Sequence, residues 1–547
     1  MSCACTAGTD EIAPTITKKI IARTIKPNLG PFVSHGSERY DTAICQPAPL
    51  NGSRSPSFRP PDDGGGSSNL RCCLRPTWTA RRDYIALTVW TADNLYVEIG
   101  PEAPRMRRKS WHVDNDDRVQ SGLLAKPVVY RLRRAALLDK LGPGLITGAA
   151  DDDPSGIATY SQAGAQFGAN MLWMMFFLYP LMCTMQMISA RIGRVSGHGL
   201  AANMRRIFPS WVVTSLVALL FIANTINIGA DLAAMGAAAE LVLGWGRHLF
   251  TLVFAVASLT VQVLVPYHRY VLYLKWLTLV LFAYVGVVFT IEIDWSETAL
   301  RMVTPQLALT RETAIMVVAV FGTTISPYLL FWQASEEVED DEADPTTDPL
   351  IDHPEQALVQ LSRIRWDTYI GMAFANLVAF FIILTTALTL HAAGVTEIET
   401  SADAAEALRP IAGDLAFALF SLGIIGTGLL AVPILAGSAA YAVCESRGWP
   451  IGLEHKPREA VGFYTVIGLA TLIGLAVDYS DLDPIRALFW SAVLNGVVSV
   501  PLMAAMMIVV SRKDEMGQFV ASFRLRVMGW FATACMAAAA ITMFILS

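Results

Sequence analysis

Asp151-Asp152-Asp153-Pro154-Ser155-Gly156 and Thr323-Thr324-Ile325-Ser326-Pro327 each interrupt an otherwise apolar stretch long enough to cross a membrane. Each break carries a proline, which cannot donate a backbone hydrogen bond and interrupts a helix. Irregular backbone facing lipid is not tolerated at bilayer depth, so both breaks must face protein or a watery cavity. They fall in the first and the sixth apolar stretch. Paired interruptions at corresponding places in two halves mark a transporter built from inverted repeats, with its substrate at the breaks.

Working outward, stretches of about 20 apolar residues mark membrane spans. Eleven are expected, at 142–165, 171–190, 211–238, 249–266, 271–292, 312–334, 367–391, 411–442, 461–478, 485–510 and 525–546. The composition agrees: 54% of residues are hydrophobic and only 16% charged, against about a quarter charged in an average soluble domain. Short loops on one side hold Arg191, Arg194, Arg205, Arg206, Arg363, Arg365, Arg447, Lys456, Arg512 and Arg524, while the other side holds only Arg247, Arg301, Arg311, Arg409 and Arg486. The positive-inside rule then puts the N-terminus in the cytoplasm and the C-terminus outside, in a multi-pass protein of the cytoplasmic membrane.

Residues 1–125 are polar and rich in Gly, Pro, Ser and Arg, and read as a disordered N-terminal extension with a short strand pair over Asp83–Val97. No apolar core follows the start, so no cleavable signal peptide is expected. No basic tract invites nucleic acid, so the net charge of -6 carries no such meaning. Cys3, Cys5, Cys45, Cys72 and Cys73 lie in this region without zinc-like spacing, and Cys183, Cys444 and Cys535 read as buried small hydrophobes. No nucleophile motif, phosphate loop or zinc motif supports an enzyme, and no bound cofactor is expected.

Ionisable residues inside a span are costly and functional by default. Asp151, Asp152 and Asp153 in succession would repel one another, and a bound cation relieves that. Asp153 is the expected ligand, with Asp151 and Asp152 lining the approach; the alternative is a polar vestibule with a single carboxylate in the site. Three acids argue against an anionic organic solute. Thr323 and Ser326 are expected to add hydroxyls and freed carbonyls, with Ser155 and Gly156 shaping the cavity. This oxygen-only set suits Mg, Ca and Mn rather than softer metals. Asn224, Asn227 and Asp231 share one side of the third span, as a packing network or an ion or proton route. Asn495 reads equally as an amide facing the ion and as an interhelical hydrogen bond. Gln162 is expected to anchor the unwound segment, and Arg191 the inner end of its span.

The run Glu336-Glu337-Val338-Glu339-Asp340-Asp341-Glu342, with Asp344, Asp348 and Asp352, follows the second break. Residues 335–362 are expected to form an acidic cytoplasmic loop, either solvated and disordered or a collector of divalent cations.

Leu141-Gly142-Pro143-Gly144, Asp153-Pro154-Ser155-Gly156 and Gln162-Ala163-Gly164-Ala165 together resemble the first span of the NRAMP (natural resistance-associated macrophage protein) metal-ion transporters. Ser189-Ala190-Arg191-Ile192-Gly193, Asp231-Leu232-Ala233 and Gly322 to Pro327 resemble that family's second, third and sixth spans. The resemblance covers about 140–545. It implies an all-α LeuT-type fold: two inverted five-helix repeats (about 140–293 and 308–510) plus an eleventh helix at 525–546, with helices 1 and 6 broken. It also implies divalent-cation transport.

The departures matter as much. Gly156 stands where the family has an asparagine. Ser326 and Tyr328 stand where it has a methionine and a histidine, and Ala234 replaces a glutamate beside Asp231. Without the thioether, preference for Mn or Fe over Mg is lost, and without the amide there is room for a partly hydrated ion; magnesium keeps its water reluctantly shed. These substitutions resemble the family's magnesium-transporter branch, with Mn2+ also accepted. Loss of the glutamate and histidine predicts weak or no proton coupling. An ordinary proton-coupled Mn/Fe transporter using Asp231 is the alternative.

Overall fold

The computed structural model describes residues 85–90, 95–100, 147–148, 150–265, 277–343, 347–453, 456–479 and 483–546. The chain divides into two units, Met1–Lys126 and Pro127–Ser547. In the first, Ile85–Trp90 (β1) and Leu95–Gly100 (β2) pair antiparallel, with Ile85 opposite Gly100 and Trp90 opposite Leu95. The rest of the disordered extension expected over 1–125 lies outside the described residues.

The second unit is all-helical. Its helices include α1 (Pro154–Phe167), α2 (Trp173–Ser196), α3 (Leu200–Ile207), α4 (Ser210–Leu243), α5 (Arg247–Leu264) and α6 (Phe282–Val288). There follow α7 (Arg311–Thr324), α8 (Pro327–Ala343), α9 (Ala357–Thr386), α10 (Ala416–Arg447), α11 (Val461–Val477), α12 (Pro484–Ser511) and α13 (Phe523–Leu546). Among the described residues eight helices, counting α7 with α8 as one, are long and apolar enough to cross a membrane, and two shorter apolar helices lie at Leu279–Val288 and Val461–Ala476. With the broken first span, each apolar stretch expected from the sequence is mainly helical over its described residues.

The two breaks are built alike. Thr147, Gly148, Ala150 and Asp151 are helical, the chain leaves the helix at Asp152 and Asp153, and α1 restarts at Pro154. Likewise α7 ends at Thr324, and α8 restarts at Pro327 after Ile325 and Ser326. Proline suits a helix start because the N–H it lacks would have no intrahelical partner there.

Packing brings the breaks onto shared neighbours. α12 lies against both α1 and α7, and α4 lies against α10, α11 and α12. The contact of α7 with α12 is backbone-close: a methyl group at Gly322 would come 2.1 Å from the Ala492 carbonyl and 2.5 Å from the Gly496 nitrogen. Only glycine fits where two helices meet so tightly.

One expectation is overturned. The acidic run is helical rather than a loop, because α8 continues through it to Ala343. Glu336, Glu337, Glu339 and Asp341 are buried. Arg194 at the end of α2 pairs with Asp341 at 2.6 Å, and Arg363 on α9 pairs with Glu337. Glu339 accepts from the Tyr441 hydroxyl and, at 3.0 Å, from the Leu453 N–H. Buried carboxylates persist where they are paired and hydrogen-bonded. These partners knit α8 to α2, α9 and α10, so the run is not a solvated loop.

Candidate metal-ion site

The proline at the first break strands a carbonyl. In a continuous helix Ala150 O would accept from the N–H of residue 154, which is proline. Its acceptor is met from the other broken span: the Tyr328 hydroxyl lies 3.0 Å from Ala150 O. The same hydroxyl lies 3.3 Å from Asp153 Oδ2.

Asp153 is the N-cap of α1 and is buried. Its Oδ1 accepts from Ser155 Oγ at 2.6 Å and from the Gly156 N–H at 2.7 Å. Such a cap satisfies donors that a helix start leaves open. Its Oδ2 accepts from Asn227 Nδ2 at 3.1 Å. Asn227 Oδ1 in turn accepts from Ser491 Oγ at 2.6 Å, so α4 and α12 together aim the amide at Asp153. Four donors therefore converge on one carboxylate.

The acids around it are buried and unanswered. Asp151 Oδ1, both oxygens of Asp152 and both oxygens of Asp231 have no hydrogen-bond partner among the described residues. Buried polar atoms without partners are rare and call for an explanation. Asp231 and Asp153 are close enough to act on each other electrostatically.

At the second break the stranded carbonyl is Thr323 O, four residues before Pro327. Ser326 Oγ donates to it at 2.7 Å, with Gly322 O at 3.0 Å. Thr323 Oγ1 donates to Val320 O at 3.0 Å, and Ser499 Oγ on α12 donates to Ile325 O at 3.0 Å. The hydroxyls expected to reach an ion are thus turned back onto their own backbone, as serine and threonine do near helical carbonyls. Ser155 and Gly156, also expected at the ion, are instead the donors that cap Asp153. A methyl group at Gly156 would lie 3.3 Å from Asp151 O and 3.3 Å from the Tyr160 ring, so the backbone is closely packed at that residue.

Ser491, Asn495 and Ser499 are four residues apart and so lie along one side of α12. Ser491 reaches the first site through Asn227, and Ser499 reaches the second break. Asn495 lies between them, buried, with neither amide atom partnered among the described residues. The interhelical hydrogen bond that stood as one reading of Asn495 is therefore not seen among the described residues. Ser491 and Ser499 went unremarked in the sequence, although their spacing about Asn495 was the available signal.

Asn224 Nδ2 donates to Leu435 O at 3.0 Å, a packing contact to α10. Gln162 does not anchor the break. It holds the 396–398 segment through Thr396 O at 3.1 Å and the Ile398 N–H at 2.8 Å, and lines a cavity of about 280 Å³ with Arg486 and Trp490. Arg191 donates to Phe519 O at 2.9 Å, fixing the end of α2. Among the described residues no three His, Cys, Asp or Glu side chains converge as a ready-made metal cluster. The acids line a locus without closing on a point.

Residues 144–546 match the family model described as natural resistance-associated macrophage protein-like. The divalent metal cation transporter MntH of Klebsiella pneumoniae (strain 342) is 25% identical over 415 residues, covering 74% of this chain and 93% of the relative. The crystal structure of the Eremococcus coleocola manganese transporter, solved with an aromatic bis-isothiourea substituted compound, superposes with a TM-score of 0.58. It does so at 16% identity, over 74% of this chain and 85% of that one. That likeness carries the fold, the LeuT-type arrangement with broken first and sixth helices.

Proposed function

Because the chain belongs to the natural resistance-associated macrophage protein family, we propose that it moves divalent metal cations across a membrane by alternating access. The observation that carries this reading is the set of buried, unpartnered acid oxygens on Asp151, Asp152 and Asp231 around the capped Asp153. Positive charge answers such a group, and neither break carries sulfur or imidazole. Hard divalent ions match oxygen donors.

The finer reading is Mg2+ as the main cargo with Mn2+ also accepted. It is supported by Ser326 and Gly156 standing where the family's thioether and amide would be. Coupling to protons is weak or absent in this reading, since Ala234 and Tyr328 replace two titratable positions. The ion is cargo rather than a resident cofactor. The distribution of Arg and Lys supports a cytoplasmic-membrane protein with its N-terminus inside. Repeats at about 140–293 and 308–510, with an added helix at 525–546, fit the paired breaks. A second reading, proton-coupled Mn2+ or Fe2+ transport, draws support from Asp231, a wholly buried carboxylate free of hydrogen bonds among the described residues.

The test is uptake by the purified full chain in proteoliposomes holding a Mg-sensitive dye, with Mn2+ and internal pH followed in parallel. Uptake of both ions without acidification is expected. Mn2+ uptake that excess Mg2+ leaves untouched, with stoichiometric acidification, would establish the second reading instead.

A further inference from the structure

Tyr328 is the first residue after Pro327, on the second broken span, yet its hydroxyl fills a place in the first. It sits between Ala150 O, stranded by Pro154, and Asp153 Oδ2, at 3.0 and 3.3 Å. A phenol has one proton to donate. It can serve only one of these two oxygens at a time, so three oxygens share a single hydrogen. The position lies in the field of Asp151, Asp153 and Asp231. The tyrosine is held there firmly: it is wholly buried, and its own carbonyl accepts from Ser438 Oγ at 2.8 Å.

A backbone carbonyl and a carboxylate oxygen on either side of one small space are what a hard cation takes as ligands, at about 2.0–2.6 Å. A hydroxyl oxygen 3.0 Å from the carbonyl occupies the region such an ion would need. We propose that the Tyr328 hydroxyl is a stand-in for the transported cation, bonding the Ala150 carbonyl and Asp153 in the empty carrier and giving way when the ion enters. This rests on the divalent-cation reading above and adds to it a competitor supplied by the protein. Ion entry would also cut the hydrogen-bonded tie between the first break and α8, so occupancy of one broken span is felt by the other.

The consequence is opposite to that of a ligand. Tyr328→Phe keeps the ring and removes the competitor, so ion affinity should rise. Replacing one intramolecular hydrogen bond corresponds to about a fivefold lower Kd for Mn2+ and Mg2+, read by calorimetry on the purified full chain. The ion-free variant should melt about 2 °C lower than wild type, with a larger upward shift on ion addition. Tyr441→Phe, which removes a hydroxyl bonded to Glu339 away from the breaks, should leave Kd unchanged. A Tyr328→Phe Kd that is unchanged or higher overturns the proposal. If wild type binds neither ion, the transport reading itself fails. Should Tyr328→Phe not fold, wild type still decides. Adding Mn2+ should blue-shift the near-ultraviolet tyrosine absorption as a buried phenol loses its acceptor, and a flat difference spectrum overturns the proposal.

Discussion

Both broken spans lose a backbone donor to proline four residues after a carbonyl, at Ala150 and Pro154 and at Thr323 and Pro327. They part in how the loss is met. The second break closes largely on itself: Ser326 bonds Thr323 O and Thr323 bonds Val320 O, and only Ile325 O takes a hydroxyl from elsewhere, Ser499 of α12. The first borrows from afar, taking Tyr328 from α8 and Asn227 from α4, and still leaves the oxygens of Asp152 and Asp231 unanswered. A self-satisfied break is a hinge or a wall. An unsatisfied, acid-lined break is where charge must arrive. Similar backbone geometry thus serves two purposes, and side-chain satisfaction distinguishes them.

Substitutions can break that contrast. Asp153→Ala removes the acceptor on which four donors converge and should lower Mn2+ or Mg2+ uptake by at least about 100-fold in a folded protein, since a lost charged hydrogen-bond network costs several kcal/mol. Breaking the buried pair with Glu337→Ala strands Arg363. It should destabilise by about 3 kcal/mol in a denaturant titration, while leaving the ion affinity of the folded fraction near wild type. Asn227→Ala loosens Asp153 and should weaken uptake by about tenfold, in line with the loss of one charge-assisted hydrogen bond; Ser491→Ala should act in the same direction and by less. Ser326→Ala exposes Thr323 O and should cost about 1–2 kcal/mol of stability, with uptake within about twofold of wild type. Gln162→Ala should leave ion affinity unchanged, because its bonds go to the 396–398 segment.

The spans and both breaks were legible because bilayer thickness and proline act through composition alone. Asp153 was legible because a carboxylate within a span demands an explanation. The direction of the hydroxyls on Thr323 and Ser326 was not, since a rotamer facing its own helix and one facing an ion look alike in sequence. The acidic stretch of α8 was misread because its partners Arg194, Arg363 and Tyr441 lie far along the chain in either direction. A charge run looks solvated until the fold supplies its counter-charges. Tyr328 was noted as a departure from the family pattern, but its reach to Ala150 depends on how the two broken spans meet, which local pattern does not encode.

The division between the two breaks is tested most directly by titrating Mn2+ into two purified variants, Asp153→Ala and the double variant Thr323→Val with Ser326→Ala. Saturable binding should vanish in the first and stay within about threefold of wild type in the second, since the hydroxyls answer only neutral carbonyls of their own helix. Binding that survives loss of Asp153 but disappears with the two hydroxyls would place the ion at the second break and contradict the account.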